Sequence, residues 1–124
     1  MTINNKILLV EDDRELRETL RDLIELSEIK ADISESAEVA LRYIEKEENK
    51  YNLILSDYLM PGMSGLDLFS KVRRLEGYED TPFFIISART DQDIRQKCIQ
   101  AGISGFLNKP FEIEELIKLI RIYI

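Results

Sequence analysis

Five short runs of aliphatic and β-branched residues alternate along this chain with longer segments whose apolar residues recur at helical spacing. We predict strands at residues 6–10, 30–34, 52–56, 82–87 and 105–108. Strands that alternate with helices form βαβ units, whose right-handed crossovers build a parallel sheet with helices on both faces. The third and fourth runs are apolar throughout, as expected for strands that are covered on both sides. The pattern therefore predicts a doubly wound α/β domain.

The helices between these strands are predicted from apolar residues three or four positions apart. They are Leu16, Leu20, Leu23 and Ile24 in the first helix, Ala37, Ala40, Leu41 and Ile44 in the second, Leu68, Val72 and Leu75 in the third, and Ile94, Cys98 and Ala101 in the fourth. We expect Gly102 to end the fourth helix and Cys98 to face the core rather than act as a reactive thiol. A fifth helix is predicted from about Glu112 to the end of the chain.

Composition limits both the size and the chemistry of the protein. A chain of 124 residues, 44% of them hydrophobic, fits one domain that spans residues 1–124. The single cysteine allows no intrachain disulfide, and there is neither a membrane-spanning apolar run nor a signal-peptide core in "MTINNK", so we expect a cytoplasmic protein. A net charge of -7 argues against direct binding of nucleic acid, and the absence of histidine removes the commonest general base.

Polar residues stand where four of the predicted strands end. They are Glu11, Asp12 and Asp13 after the first strand, Asp57 after the third, Ser87 after the fourth, and Lys109 and Pro110 after the fifth. Ligands of open parallel sheets bind beyond the carboxyl ends of the strands, so these side chains are expected to share one site.

The residue types in this group indicate a particular chemistry. Carboxylates that are packed together repel one another, and a divalent cation with a preference for oxygen ligands removes the conflict. Mg²⁺ is the expected ion, with Mn²⁺ as an alternative. Lys109 could hold an anion beside the metal, and the hydroxyl of Ser87 could donate a hydrogen bond to that anion. The group predicts a site that handles a phosphoryl group around a carboxylate.

Each member of the group also has a simpler explanation when it is taken alone. "EDD" before a helix is typical of helix capping, and Asp57 alone could form an Asx turn. Ser87 alone could be a turn hydroxyl, and Lys109 alone a solvated surface residue. Their joint placement at the same end of four strands favours the shared site.

Four motifs, in this order, resemble those of the response regulator receiver domain. They are "LLVEDD" at 8–13, "LILSDYLMPGMSG" at 53–65, "IISA" at 85–88 and "GFLNKPF" at 105–111. The resemblance covers nearly all of the chain. It implies a flavodoxin-like (βα)5 fold with strand order 2-1-3-4-5, and a role in two-component or phosphorelay signalling.

The resemblance also implies roles for the acidic residues. Asp57 matches the phosphoacceptor, which attacks the phosphohistidine of a histidine kinase or phosphotransfer protein. Asp12 matches a direct Mg²⁺ ligand, and Glu11 a ligand that acts through water. Asp57 itself and the backbone carbonyl of Leu59 would complete the metal site, while Asp13 is left as the cap of the first helix.

Three further residues match the parts of a receiver that respond to phosphorylation. Ser87 matches the switch hydroxyl, Phe106 the aromatic that changes rotamer with it, and Lys109 the lysine that contacts the phosphoryl group. The resemblance also implies a cis peptide between Lys109 and Pro110. The motif "MPGMSG" is expected to turn the chain sharply and to start the third helix with Ser64 as N-cap and Asp67 at position N3.

The last helix is apolar on more than one side, which predicts a covered surface. Its core-facing residues are expected to be Ile113, Ile117 and Ile120, and its outward apolar residues Leu119, Ile122 and Tyr123. We expect a homodimer or partner interface on the face formed by the fourth helix, the fifth strand and the fifth helix; the alternative is that these residues contact the core at the end of the chain. The output is then a downstream protein effector or a fused output domain, with no membrane partner.

The phosphoryl group is expected to be long-lived, so that the chain is a self-phosphorylating acceptor rather than a turnover enzyme. Leu59 and Arg89 stand two residues beyond Asp57 and Ser87, and neither offers a carboxylate or amide to orient an attacking water.

Three other classes of protein share parts of this pattern. A haloacid dehalogenase-type phosphatase would require an acidic residue where this chain has Leu59. A flavodoxin-like electron carrier would have to bind a phosphate at its first loop, where the acidic "EDD" of this chain would repel it. A receiver-shaped module that binds partners without phosphorylation is the most serious alternative.

Overall fold

The computed structural model describes residues 6–46, 50–88 and 90–124. The strands are β1 (Lys6–Val10), β2 (Lys30–Ser34), β3 (Leu53–Asp57), β4 (Phe83–Ala88) and β5 (Gly105–Lys109). The helices are α1 (Arg14–Leu26), α2 (Ala37–Glu45), α3 (Gly65–Val72), α4 (Gln92–Ala101) and α5 (Ile113–Tyr123). All strand pairs are parallel, in the order β2-β1-β3-β4-β5. The predicted α/β fold and strand order are confirmed.

The sheet separates two apolar cores, because successive side chains of a strand point to opposite faces. Ile54 of β3 belongs to the core beneath α2, α3 and α4, whereas Leu55 belongs to the core beneath α1 and α5. Every residue of β3 is buried, as predicted for a central strand that is covered on both sides. Cys98 is fully buried in the first of these cores, also as predicted.

The predicted ends of the helices are confirmed at three positions. Asp13 caps α1 by accepting a hydrogen bond from the backbone N–H of Leu16 at 3.0 Å. Ser64 and Asp67 form a reciprocal capping box at the start of α3. Gly102 ends α4 with a φ of 96°, a conformation that glycine adopts without a Cβ penalty. The peptide between Lys109 and Pro110 is cis, as the resemblance implied.

Some predicted boundaries and faces were wrong. Strands β3 and β4 begin and end one residue later than predicted, and β5 continues through Lys109, so Asp57 and Lys109 lie inside strand ends rather than beyond them. Leu75 lies past the end of α3, and Ala101 of α4 is exposed rather than in the core.

Helix α5 buries Ile120 as predicted, but its second fully buried residue is Leu116, which was not predicted to face the core. Leu116 and Ile120 are fully buried, whereas Ile113 and Ile117 are half-buried at the edges of the contact. Two residues that are four positions apart lie on one helix face, and here that face is centred on Leu116.

The outward side of α5 is also less apolar than predicted. Leu119 and Tyr123 pack against the core beneath α1 and α5, and the ring of Tyr123 meets that of Phe84 edge-on, with centroids 5.4 Å apart. Ile122 is the exposed member of the predicted strip, at 69%.

Within the described residues, no helix is long and apolar enough to cross a bilayer.

Candidate functional site

A cleft of about 210 Å³ opens at the carboxyl ends of β3, β4 and β5. It is lined by Asp57, Tyr58, Leu59, Ile86, Ser87, Ala88, Asp91 and Lys109. A larger apolar groove, of about 560 Å³, lies between α1 and the start of α5, and Lys109 is the predicted site residue that it shares. Three of the predicted site residues, Asp57, Ser87 and Lys109, converge at the smaller cleft, as sheet topology predicts.

Three carboxylates meet beside this cleft. Glu11, Asp12 and Asp57 each present an oxygen, and these oxygens lie within 4.8 Å of one another. Glu11 is fully buried at the end of β1, Asp57 is 3% exposed at the end of β3, and Asp12 is exposed. The sequence prediction that these acids come together is confirmed.

Lys109 supplies positive charge to the two buried carboxylates. Its Nζ lies 3.0 Å from Oδ1 of Asp57 and 3.3 Å from Oε1 of Glu11. Burial alone would lower the pKa of Lys109, but the contacts with Asp57 and Glu11 outweigh it, and the pKa is raised. One ammonium therefore faces two carboxyl groups, so ionisation of both would leave one buried negative charge uncompensated.

Burial and this conflict of charges both raise the pKa of Asp57. Burial, followed by the adjacent Glu11, raises the pKa of Asp57 to about 8, although Lys109 acts in the opposite direction. A carboxyl group whose pKa is raised in this way is one that a bound cation would stabilise in its charged form.

Several polar atoms of the site have no hydrogen-bond partner among the described residues. They are Oε1 of Glu11, both carboxylate oxygens of Asp57 and Oγ of Ser87, although Oε1 of Glu11 and Oδ1 of Asp57 form ion pairs with the ammonium of Lys109. Buried polar atoms are nearly always paired, and leaving one unpaired costs about 1–3 kcal/mol. Carboxylate oxygens that converge in this way fit a hard divalent cation such as Mg²⁺. The hydroxyl of Ser87 remains free to donate to an anion bound in the cleft.

The acidic loop is held in place by a residue that the sequence analysis did not single out. The guanidinium of Arg17 donates to the backbone carbonyls of Glu11 at 2.9 Å and Asp12 at 3.2 Å. Oε2 of Glu11 accepts from the backbone N–H of Asp13 at 3.0 Å, which leaves Oε1 directed at Lys109. These bonds fix the loop with its carboxylates turned toward the cleft.

A family model of the response regulator receiver domain matches residues 7–121. The chain belongs to this family. The receiver is 33% identical over 117 residues to the transcriptional regulatory protein CpxR of Escherichia coli, a match that covers 94% of this chain and 48% of CpxR. It therefore spans about half the length of that relative.

Solved receiver structures have the same fold. The chemotaxis response regulator CheY4 of Vibrio cholerae superimposes with a TM-score of 0.87 at 25% identity, covering 98% of this receiver and 100% of CheY4. The receiver domain of the sensor histidine kinase PA1611 from Pseudomonas aeruginosa, which has a magnesium ion coordinated in its active site cleft, gives a TM-score of 0.85 at 26% identity and covers 98% of each chain.

The other predicted site residues of this receiver lie near the cleft but in different settings. Leu59 lines the cleft and is 71% exposed. Phe106 on β5 is half-buried, outside the cleft lining, with the guanidinium of Arg95 4.5 Å from its ring centre. Leu59 and Arg89 are the two positions at which no water-orienting group is expected; Arg89 lies outside the described residues, so the structure describes Leu59 alone of the two.

Gly65 of the receiver allows α3 to start directly against the end of β3. Its N–H donates to the carbonyl of Tyr58 at 2.8 Å, and a Cβ on Gly65 would lie 2.3 Å from the backbone carbonyl oxygen of Asp57. No side chain fits such an approach. The close contact holds the backbone of Asp57 at the cleft.

We predict that Gly65→Ala displaces Asp57 and lowers phosphoryl uptake, with a loss of about 1–3 kcal/mol in the free energy of unfolding from overpacking. Gly102→Ala is the control, because Gly102 has nothing within 4 Å and its positive φ alone would cost about 1–2 kcal/mol. Uptake measured at equal folded fraction should fall in Gly65→Ala alone. Equal uptake in the two variants would contradict the positioning role.

Proposed function

We propose that this receiver is a phosphoacceptor, in which Asp57 accepts a phosphoryl group from the phosphohistidine of a histidine kinase or phosphotransfer protein. The observation that carries the proposal is the buried Asp57 carboxylate, which makes no hydrogen bond among the described residues and has the ammonium of Lys109, 3.0 Å away, as an ion-pair partner. A strand-end carboxylate in this setting is accessible from the cleft and is held in one place.

In the proposed step, an oxygen of the Asp57 carboxylate forms a bond to phosphorus. The bond between phosphorus and the imidazole nitrogen breaks, and its electron pair leaves with the imidazole. The product is an acyl phosphate on Asp57. Phosphoryl transfer depends mainly on positioning and charge neutralisation, and Lys109 supplies positive charge to the transferred oxygens.

Glu11, Asp12 and Asp57 would hold Mg²⁺, or Mn²⁺ in its place, with the backbone carbonyl of Leu59 as a further ligand. When bound, the cation supplies neutralisation of the charge that gathers on the phosphoryl oxygens. The unpartnered oxygens of Glu11 and Asp57 support this assignment.

Phosphorylation would exchange one negative charge for about two beside Ser87 and Lys109. The hydroxyl of Ser87 then gains an acceptor, and Phe106 responds on the outer side of β5. We propose that this change alters the face formed by α4, β5 and α5, which contacts a downstream protein effector or a fused output domain. The net charge of -7 favours protein contact over direct contact with nucleic acid.

The same face would support a homodimer. Ile99 on α4 and Ile122 on α5 are exposed at 58% and 69%. Because Leu119 and Tyr123 pack inward, the apolar strip is narrow, and any dimer is expected to be weak without phosphorylation. Sedimentation that gives a monomer both with and without a phosphoryl mimic would contradict the dimer.

The test of the proposed function is incubation with acetyl phosphate and Mg²⁺, followed by measurement of the intact mass. We expect a gain of one phosphoryl group, which is lost with a chelator and lost in Asp57→Asn. No gain with acetyl phosphate or with candidate histidine kinases would instead favour the receiver-like module that binds partners without phosphorylation.

We predict slow loss of the phosphoryl group, since the exposed Leu59 cannot orient an attacking water. Leu59→Glu should speed hydrolysis by about tenfold or more, less than the 10²–10⁴-fold of a fully positioned general base. Leu26→Glu is the control, because Leu26 is 80% exposed at the far end of α1. Decay of the wild-type acyl phosphate within seconds would contradict the prediction.

A further inference from the structure

Arg95 on α4 reaches back to the end of β4. Its Nη2 donates to the backbone carbonyl of Ser87 at 3.1 Å, and its Nε donates to that of Ala88 at 3.3 Å. The half-buried guanidinium therefore holds the backbone of the residue whose hydroxyl faces the cleft.

The same guanidinium also contacts β5. Nη2 donates to Oδ1 of Asn108, and the central carbon lies 4.5 Å from the centre of the Phe106 ring. A planar cation stacked on an aromatic ring is an attractive contact. One side chain thus joins α4 to the ends of two strands.

Helix α4 buries fewer of its residues than the other helices do, although Ile94 also packs against the core. Of its ten residues, all of which the structure describes, Cys98 is the one that is buried, whereas the other helices bury two to four residues each. Its N-cap, Asp91, makes no side-chain capping bond. The contacts of Arg95 are therefore a substantial part of what fixes α4 against the sheet.

We propose that Arg95 is a positioning residue that sets Ser87 for the phosphoryl group and ties that position to Phe106 and α4. The inference rests on the proposed function of Asp57. Oγ of Ser87 is buried without a partner among the described residues, so the position from which it can reach an anion is set by the Ser87 backbone, whose carbonyl Arg95 holds. Movement of Ser87 toward a phosphoryl group would strain the hydrogen bonds that Arg95 donates, and the strain would be passed to α4, which carries Arg95. Lysine has no planar fork and cannot hold two carbonyls and an amide together.

The test is a titration of the intact chain with beryllofluoride at saturating Mg²⁺, a mimic of the phosphoryl group on Asp57. Arg95→Met should bind beryllofluoride about tenfold more weakly or worse, because small displacements of positioning groups are costly. Its affinity for Mg²⁺ alone should stay within about twofold of wild type, since Arg95 contacts none of the three carboxylates. The affinity of Arg95→Lys for beryllofluoride should lie between those of wild type and Arg95→Met. This conservative variant controls for loss of the fold. Lys97→Met, at an exposed site on the same helix, should match wild type.

Hydrogen exchange of the ligand-free protein gives a second measure. Amides of residues 92–101 should exchange faster in Arg95→Met than in Lys97→Met, with α1 unchanged in both. Wild-type affinity and wild-type exchange in Arg95→Met would overturn this inference alone. Equal weakening in Arg95→Met and Lys97→Met would also overturn it, because charge and not position would be the cause. A wild-type protein that binds no beryllofluoride would overturn the proposed function and this inference with it.

Discussion

Lys109→Met is expected to lower the rate of phosphorylation by acetyl phosphate by about 10²–10³-fold, the usual loss when a group that stabilises developing charge is removed. The ammonium lies 3.0 Å from Asp57 and 3.3 Å from Glu11, so it is the side chain placed to neutralise oxygens transferred to Asp57. Phosphorylation rates at saturating Mg²⁺ measure the effect.

The same variant should be less stable without metal. Two buried carboxylates would lose their counter-charge, and breaking a buried pair costs about 3–5 kcal/mol, a range that should be reduced here because Lys109 is 37% exposed and Asp57 can take up a proton. Lys118→Met, at an exposed site on α5, is the control. A phosphorylation rate within a few-fold of wild type would contradict the role of Lys109.

Asp57→Asn is expected to abolish phosphoryl uptake and to stabilise the metal-free protein at neutral pH. The folded protein raises the pKa of Asp57 from 3.8 to about 8, so between these values the folded state binds the proton that the unfolded state releases. The contribution of Asp57 to stability is therefore present at about pH 4 and is lost as the pH rises toward 8. The variant removes this loss and should gain at least about 1.4 kcal/mol at pH 7, the equivalent of one pKa unit.

Denaturant unfolding at several pH values, in chelator and in Mg²⁺, measures this effect. The gain in stability should vanish near pH 4, and Mg²⁺ should stabilise wild type more than the variant, because binding to the folded state alone raises stability. Asp22→Asn, at an exposed site on α1, should show neither effect. A variant less stable than wild type at every pH would contradict the conflict of charges in the site.

The residues of the site could be predicted from the sequence because they lie at the carboxyl ends of the strands. In a parallel sheet, Glu11, Asp57, Ser87 and Lys109 must share one edge once their strands are recognised. The exact ends of those strands could not be predicted, because an apolar run shows burial but not where the hydrogen-bonded ladder stops. Asp57 and Lys109 continue their ladders and still direct their side chains into the site.

The residues that the sequence analysis missed act over longer distances. Arg17 and Arg95 are surface-type residues by pattern, yet their guanidinium groups cross to carbonyls six to eight residues away along the chain. The spacing of apolar residues predicts on which face of a helix a side chain lies, but not which distant groups a long side chain contacts. The same limit applies to α5. Five apolar positions lie within about two turns, so the sequence does not decide which of them is at the centre of the buried face, and packing against the rest of the fold places Leu116 there.

The most direct test of the central claim is to locate the phosphoryl group itself. The protein is treated with acetyl phosphate and Mg²⁺, reduced with borohydride, which converts an aspartyl phosphate to homoserine, and analysed by peptide mass. We expect homoserine at position 57 and at no other acid, and none in the chelator control. Conversion at Asp12 or Asp13, or at no residue despite uptake of phosphate, would contradict the assignment of Asp57 as the phosphoacceptor.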